Sequence, residues 1–285
     1  MARYLDPKVD LTFKKIFGNH PRLLISFLNA VMPFEEGRFI ETVEYLPSEM
    51  VPENPGRKFS IVDVRCKDNL KNQFIVEMQS EWQEAFMSRI LFNAGKAYVR
   101  QLGKGKKYNL LQPVYTLVIL NDTWDHITEE YYHHFKIINV ENSDEIIEGL
   151  EFILVELPKF RPATIADRKL MVLWLRFLNE VDEDMKALPP EMMENEDIRL
   201  AAELCEEGAY TPEEMALYNG YWDWVSIENT KKANVEKEKE NAVRKKETEI
   251  AINMFKKGIS IDDISDITGL TNDEIITILK REKLL

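Results

Sequence analysis

The sequence is poor in the residues that build disulfide frameworks and zinc sites. Its 285 residues include two cysteines, Cys66 and Cys205, and four histidines. Two cysteines supply neither a disulfide framework nor a set of zinc ligands. The adjacent pair His133-His134 would point to opposite faces of a strand, so we interpret both as surface or edge residues.

Long apolar runs are also missing. No stretch reaches the ~20 apolar residues that a membrane helix needs, and the N-terminus MARYLDPKVD shows no signal-peptide pattern. We therefore expect a cytoplasmic protein with no membrane partner. The basic turn at residues 103–107 (GKGKK) lacks the spacing and the Ser or Thr of a phosphate-binding P-loop, which argues against a nucleotide-hydrolysing enzyme.

Acidic residues exceed basic ones, with a net charge of −13, but the excess belongs to one segment. Residues 1–110 carry 17 Lys and Arg against 13 Asp and Glu. Residues 111–230 carry 8 against 26, and residues 231–285 carry 12 against 11. The N-terminal segment is therefore mildly basic, which permits contact with phosphates although the whole chain is acidic.

Two acidic residues interrupt apolar strands within that basic segment. Asp63 lies between two valines in FSIVDVRCKD, and Glu77 follows a valine in QFIVEMQS. Strand interiors are depleted in such residues, and a buried carboxylate is costly unless a cation compensates it. If residues 69–72 close a hairpin, strict alternation places Asp63, Glu77 and Gln79 on one side of adjacent strands, and Val62 with Val64 on the other. Such an oxygen-rich site suits Mg²⁺.

Basic residues accompany this hairpin on two predicted helices. On the first, after Asp6-Pro7, Asp10 and Lys14 are four apart, the spacing of an ordinary surface ion pair. On the second, at about residues 81–102, polar residues recur at spacings of four, three and four. This stripe consists of Arg89, Asn93, Lys96 and Arg100. A solvated helix face and a row of phosphate-binding cations explain it equally well, and Tyr98 is either core or directed at the site.

The order of elements predicts an α/β protein with a mixed sheet flanked by helices. Strands are expected at 38–46, in the hairpin, at 113–122, at 134–140 and at 150–157, followed by helices beyond residue 162. We predict four regions: a core at 1–160, an acidic helical subdomain packed on it at 161–227, a charged helix or linker at 228–249, and a small helical tail at 250–285.

The tail has the pattern of a helix-turn-helix. Two short helices starting at Ser260 and Thr271 are joined through Gly269, and both starts resemble capping boxes. A reading helix offers Arg, Lys, Asn or Gln from its first turn, whereas the second helix offers Thr-Asn-Asp-Glu there, which makes a sequence-reading role doubtful. A DNA-binding module and a small protein-contact bundle are therefore equally good interpretations.

The opening DPKVDLTFKKIFG, the segments IVDV and IVEMQ, and the helix with Arg89 and Tyr98 together resemble one family. These features are similar to the recombination-promoting nucleases, also labelled PD-(D/E)XK nuclease family transposases, over roughly residues 3–230. The resemblance implies a restriction-endonuclease-like α/β core: a helix, a three-stranded antiparallel meander, a helix and further strands in a mixed sheet. An α-helical C-terminal region follows.

The resemblance also implies a divalent-metal-dependent DNA endonuclease linked to recombination or mobile elements. Its motif falls on Asp63, Glu77 and Gln79 as catalytic residues, with Asp63 and Glu77 holding Mg²⁺, for which Mn²⁺ could substitute. Val62 stands where the motif has Pro. Gln79 takes the usual Lys position, as is typical of this family, and cannot supply that residue's charge. The residues expected to contact the DNA backbone are Lys14, Arg89, Lys96 and Arg100.

Two other functions compete with this one. A catalytically inactive relative would use the same fold to bind DNA or protein. A DDE-type transposase would need three acids on a ribonuclease-H-like fold, and no third acid stands out in the right setting. For the nuclease, cutting both strands with one site per chain would suggest a homodimer.

Overall fold

The computed structural model describes residues 3–50, 60–161 and 169–285. Most of the predicted loop at 47–56 and the start of the predicted hairpin at residue 59 lie outside these residues. So do residues 166–168 of the predicted helix at 166–181. The description below concerns the described residues.

Two short helices open the chain. Helix α1 covers Asp10–Phe13 and continues into a π-helical turn at Lys14–Gly18, and α2 covers Pro21–Val31. Pro21 occupies the start of α2, where its missing N–H breaks no helical hydrogen bond. π-helical turns are rare and occur frequently at functional sites.

A six-stranded mixed sheet forms the centre of the fold, in the order β1-β4-β5-β6-β8-β7. Strands β1, β4 and β5 form the antiparallel meander, β6 runs parallel to β5 and β8, and β7 pairs antiparallel with β8. Strands β2 and β3 form a separate two-stranded sheet. The bounds are β1 Val43–Tyr45, β2 Glu49–Met50, β3 Ser60–Ile61, β4 Val64–Asp68, β5 Gln73–Gln79, β6 Val114–Leu120, β7 Tyr132–Asn139 and β8 Asn142–Glu156. This is the predicted restriction-endonuclease-like arrangement.

One strand is shorter than the sequence predicts, for a clear reason. The expected strand at 38–46 is reduced to β1 because Asn29 of α2 hydrogen-bonds both backbone groups of Ile40. The Asn29 amide donates to the Ile40 carbonyl at 2.9 Å and accepts from its N–H at 2.7 Å. A backbone engaged in this way cannot join a sheet ladder.

The main core covers one face of the sheet. Helices α4 (Lys169–Glu180), α5 (Pro190–Glu194) and α6 (Glu196–Cys205) pack there with α2 and the π-helical turn. Its centre is aromatic: the ring of Phe17 lies 4.7 Å from Phe27 and 5.4 Å from Trp174, centroid to centroid. These rings are completely buried.

Helix α3 (Phe86–Val99) covers the other face of the sheet. Its Ala94 and Ala97 pack against Ile75 of β5 and Val114 of β6. Tyr98 belongs to this packing as well, since its ring lies 3.4–3.5 Å from where a Cβ would stand on Gly149. Gly149 has φ +150°, a backbone conformation that favours glycine.

Three helices form the C-terminal part of the chain: α7 (Pro212–Lys256), α8 (Ile261–Thr268) and α9 (Asn272–Arg281). Ile264, Ile275 and Leu279 are buried in a small core of their own. The predicted capping box at Thr271 is confirmed by both of its hydrogen bonds, and Ser260 caps α8 by accepting from the Asp263 N–H.

The described chain divides into two compact units, one ending at Tyr218 and the other running from Asn219 to Leu285. The finer predicted boundaries at residues 160, 227 and 249 stay a prediction. None of the described helices is long and apolar enough to cross a membrane.

Replacing Phe17 with Ala should destabilise the N-terminal unit by about 3–5 kcal/mol, because it removes a fully buried ring from the aromatic centre. Urea unfolding followed by circular dichroism measures this free energy. Phe39→Ala is the matched control, since that ring is 61% exposed. Equal losses for the two variants would show that the aromatic centre does not carry this stability.

Candidate active site

Asp63 lies at a break between two strands. Val62 packs with Ile75 on the α3 side of the sheet, whereas Val64 belongs to the main core on the opposite side. The predicted alternation, with Val62 and Val64 on one face, is therefore wrong at this point. The break frees the Asp63 carboxylate to accept a 2.6 Å hydrogen bond from the Met78 N–H of β5.

Glu77 lies in β5 and is 93% buried under α3. Its Oε1 accepts a 3.3 Å hydrogen bond from the Asn93 side chain. Asp63, which is bonded to the N–H of the next residue along β5, lies close enough for its charge to act on Glu77. The two carboxylates are therefore neighbours.

Burial makes both carboxylates weak acids. It raises the pKa of Glu77 to about 8, with a further increase from the charge of Asp63 and an opposing effect from Arg89. Burial likewise raises the pKa of Asp63 to about 6, against the stabilising hydrogen bond from Met78. Without a cation, Glu77 therefore keeps its proton at neutral pH, because little solvent would screen its ionised form.

Helix α1 and the π-helical turn add a third carboxylate and a cation. Lys14 Nζ lies 2.8 Å from Asp10 Oδ1 and 3.8 Å from Asp63 Oδ1. The Asp10 side chain is also within hydrogen-bonding range of Asp63. The Asp10–Lys14 pair is therefore more than the ordinary surface pair that its spacing suggests, because it borders the two buried acids.

Gln79 and Arg89 meet at the C-terminal end of β5. Arg89 donates from Nη2 to the Gln79 side-chain oxygen at 2.5 Å, and the Gln79 amide donates to the Glu81 carbonyl at 2.7 Å. The guanidinium of Arg89 also lies 4.9 Å from the centre of the Phe86 ring. Arg89 is thereby positioned where its charge acts on Glu77.

The other predicted DNA contacts lie further along α3. Lys96 and Arg100 follow Arg89 by seven and eleven residues, about 10 and 16 Å along a helix. Burial and the charge of Arg100 lower the pKa of Lys96. The structure thus brings Lys14 and Arg89 to the carboxylates and leaves Lys96 and Arg100 as a separate group.

Comparison with known families supports this arrangement of elements. Residues 7–230 match the model of the PD-(D/E)XK nuclease family transposases. The chain belongs to this family. Residues 244–280 match the C-terminal HTH domain of the Rpn/YhgA-like nuclease family. No curated protein and no solved structure matches the chain.

Membership in the PD-(D/E)XK nuclease family transposases confirms the resemblance and the fold class. It assigns a nuclease-type domain linked to transposition to residues 7–230 and a helix-turn-helix of DNA-binding type to the tail. In that tail, the Asn272 side chain is bonded to Asp262, and Arg244 is paired with Glu274 at 2.9 Å.

The donor set fits the divalent cation that PD-(D/E)XK nucleases use. Asp63 and Glu77 offer hard carboxylate oxygens in a buried place where Lys14 and Arg89 are the neighbouring cations. Within the described ranges, no group of three or more His, Cys, Asp or Glu side chains is placed to hold a metal ion. An ion bound by Asp63 and Glu77 would therefore complete its coordination with water, main-chain oxygens or substrate, as Mg²⁺ commonly does.

Two residues of this region have roles that the sequence analysis missed. Asn93 was placed in the polar stripe of α3 but not in the site, although it is 99% buried against Glu77. Its position between Arg89 and Lys96 in that stripe was the available signal. Arg65 was passed over as one more polar residue of β4, yet it is 91% buried.

In metal-free buffer, the melting temperature of the wild type should fall relative to that of Glu77→Gln as the pH rises from 5 to 8, so that the gap between them changes steadily in favour of the variant. The unfolded chain releases the Glu77 proton near its ordinary pKa of ~4.3, whereas the folded protein holds it to about pH 8. Folding therefore binds a proton in this window, and the wild type loses roughly 1.4 kcal/mol of stability per pH unit there.

Thermal unfolding across that pH range measures the effect, with Glu84→Gln as the control because Glu84 is exposed in the turn before α3. A gap between Glu77→Gln and the wild type that stays constant with pH would contradict the raised pKa.

Proposed function

We propose that this protein is a divalent-metal-dependent DNA endonuclease that hydrolyses phosphodiester bonds, with Asp63, Glu77 and Gln79 as its catalytic residues. The observation that carries the proposal is the pair of neighbouring carboxylates, Glu77 buried and Asp63 partly buried, whose charge the neighbouring cations of the described chain compensate only in part. Membership in a nuclease family and a tail of DNA-binding type support it.

The proposed metal site consists of Asp63 and Glu77 with Mg²⁺, or Mn²⁺, as the ion. A divalent cation there supplies positive charge to the phosphate under attack and increases the acidity of nearby water. Asn93 holds the Glu77 carboxylate from α3, and the Met78 N–H holds that of Asp63. Both oxygen donors are thereby oriented before any ion binds, which reduces the cost of binding.

Gln79 and Arg89 together take the place of the motif's lysine. The Gln79 amide is neutral and suits the orientation of an attacking water molecule, while Arg89, held by Gln79, carries the positive charge. In hydrolysis the water oxygen bonds to phosphorus as a bridging P–O bond breaks, and negative charge grows on the phosphate oxygens. The Arg89 guanidinium is a suitable donor to those oxygens.

The remaining predicted contacts fit the same reaction. Lys14, next to Asp63, and the Lys96–Arg100 group on α3 would bind phosphates of the DNA backbone. Cutting both strands with one site per chain suggests that two copies act together, so we propose a homodimer on DNA. The competing function is a binding module that has the same fold and does not cut.

Plasmid DNA should be nicked by the wild type with Mg²⁺ or Mn²⁺, and not with EDTA. Asp63→Asn and Glu77→Gln should lose at least ~10²-fold in rate, since each removes a negatively charged ligand. Glu84→Gln should cut like the wild type. If the wild type binds plasmid but never cuts it, with either metal, the binding module replaces the nuclease.

Metal binding should also be visible without any DNA. Mg²⁺ should raise the melting temperature of the wild type more at pH 8 than at pH 6, because Asp63 and Glu77 must release protons to bind it. Asp63→Asn and Glu77→Gln should show little of this increase. An equal increase in all three proteins would place the ion elsewhere.

A further inference from the structure

Among the described residues, Arg65 is a buried arginine without an acidic partner. It lies in β4, two residues beyond Asp63, and is 91% buried. One terminal nitrogen, Nη2, donates to the Gln73 side-chain oxygen at 2.8 Å. The guanidinium Nε is buried and has no hydrogen-bond partner. In the part of the chain that the structure describes, no carboxylate forms an ion pair with this side chain.

Such an arrangement is costly for the folded protein alone. A buried charge normally has a counter-ion and a full set of hydrogen bonds, and Arg65 has neither. Burial lowers its pKa, and the nearby positive charge of Arg100 lowers it further. A like charge at this position increases the cost instead of reducing it.

The sheet register places Arg65 under α3. Arg65 pairs with Ile75, and directly opposed residues share a face of the sheet. Ile75 packs against Ala94 and Ala97 of α3, so Arg65 lies on the face that this helix covers. Lys96 lies in the last turn of α3 and Arg100 directly follows the helix, and the charge of Arg100 acts on both Arg65 and Lys96.

We infer that Arg65, with Lys96 and Arg100, forms a binding site for a phosphate group of DNA beside the carboxylate pair. A bound phosphate would provide the negative charge and the acceptor oxygens that the buried guanidinium lacks. Arg65 lies only two residues from Asp63 along the chain. The site would therefore hold a phosphate close to the one that is cut. The inference rests on the proposed function for that last point.

A purely structural role for Arg65 and a phosphate-binding role predict different effects on stability when Arg65 is replaced. If its hydrogen bond to Gln73 only aligns β4 with β5, removing it should destabilise the protein. If Arg65 is kept for an absent anion, Arg65→Met should melt at the same or a higher temperature, because it removes an uncompensated buried charge while keeping the length of the side chain.

The test compares Arg65→Met and Arg100→Gln with Arg22→Gln. Arg22 lies in α2, on the opposite side of the sheet, and is paired with Glu196 and Asp197, so the control has the same change in charge. Two quantities are measured: the melting temperature with sodium phosphate or with sodium chloride at equal ionic strength, and the affinity for labelled duplex DNA at several salt concentrations in EDTA, where no cutting occurs.

Phosphate should raise the melting temperature of the wild type and Arg22→Gln above the value in chloride, and not that of Arg65→Met. DNA affinity of Arg65→Met should fall about tenfold or more, and the slope of log affinity against log salt should decrease in magnitude by about 0.9.

Duplexes with 5′-phosphate and 5′-hydroxyl ends separate the two sources of the phosphate. An equal loss on both indicates a backbone phosphate, and a loss only on the phosphorylated duplex indicates a terminal one; either supports the site.

A lower melting temperature for Arg65→Met with an unchanged salt slope would overturn the inference. If Arg65→Met does not fold, Arg65→Lys decides: it keeps the charge but lacks the Nε and Nη donors, and it must still reduce the effect of phosphate on the melting temperature. Binding in EDTA does not depend on cutting. A protein that binds through Arg65 and never nicks plasmid would refute the endonuclease and keep the phosphate site.

Discussion

The site depends on one electrostatic constraint: two neighbouring carboxylates, Asp63 and Glu77, lie where little solvent reaches them, and this makes each a much weaker acid than in water. Among the described residues, the neighbouring cations Lys14 and Arg89 approach from different elements and compensate only part of the charge of the ionised pair. Without a bound cation the carboxyl groups therefore hold on to protons, and their ionised forms create a demand for positive charge at this point of the sheet.

The surrounding structure holds this demand in place. Asn93 and the Met78 N–H fix the two carboxylates, and the aromatic core on the opposite face anchors the helix that carries Lys14. Gln79 fixes Arg89 at the end of β5. Preorganisation of this kind lowers the stability of the free protein, and the lost stability is recovered when a ligand of the right charge binds.

Much of the fold could be predicted from the sequence, because local patterns and the global arrangement agree. Strand β5 and the buried strand β6 have the expected bounds within a residue or two, and the family motif located the two carboxylates. The expected strand at 38–46 was wrong in length because a side chain from a distant helix, Asn29, captures the backbone of Ile40. Strand propensity, which depends on the residues of the segment itself, contains no information about a hydrogen bond from a distant side chain.

The parts of the site that could not be predicted depend on contacts between distant segments. Alternation failed at Val62 because the chain passes from one sheet to another there, and residues between two strands do not alternate regularly between faces. The burial of Asn93 and Arg65 follows from how α3 lies on the sheet, which residue type alone does not reveal. Their polar character instead suggests exposure, and only the packed structure shows them inside.

The break at Asp63 has a consequence for the hydrogen bonding of the sheet. Before it, the Val62 N–H bonds to Ser48, and after it, β4 joins the large sheet. Where a regular ladder would continue, the Met78 N–H is bonded to a side chain instead of a neighbouring strand. The backbone ladder between β4 and β5 therefore ends at Val64, one residue short of Asp63, and a carboxylate oxygen takes the place of a main-chain acceptor inside the sheet. A side chain that replaces a strand partner in this way ties the ladder of the sheet to the chemistry of the site.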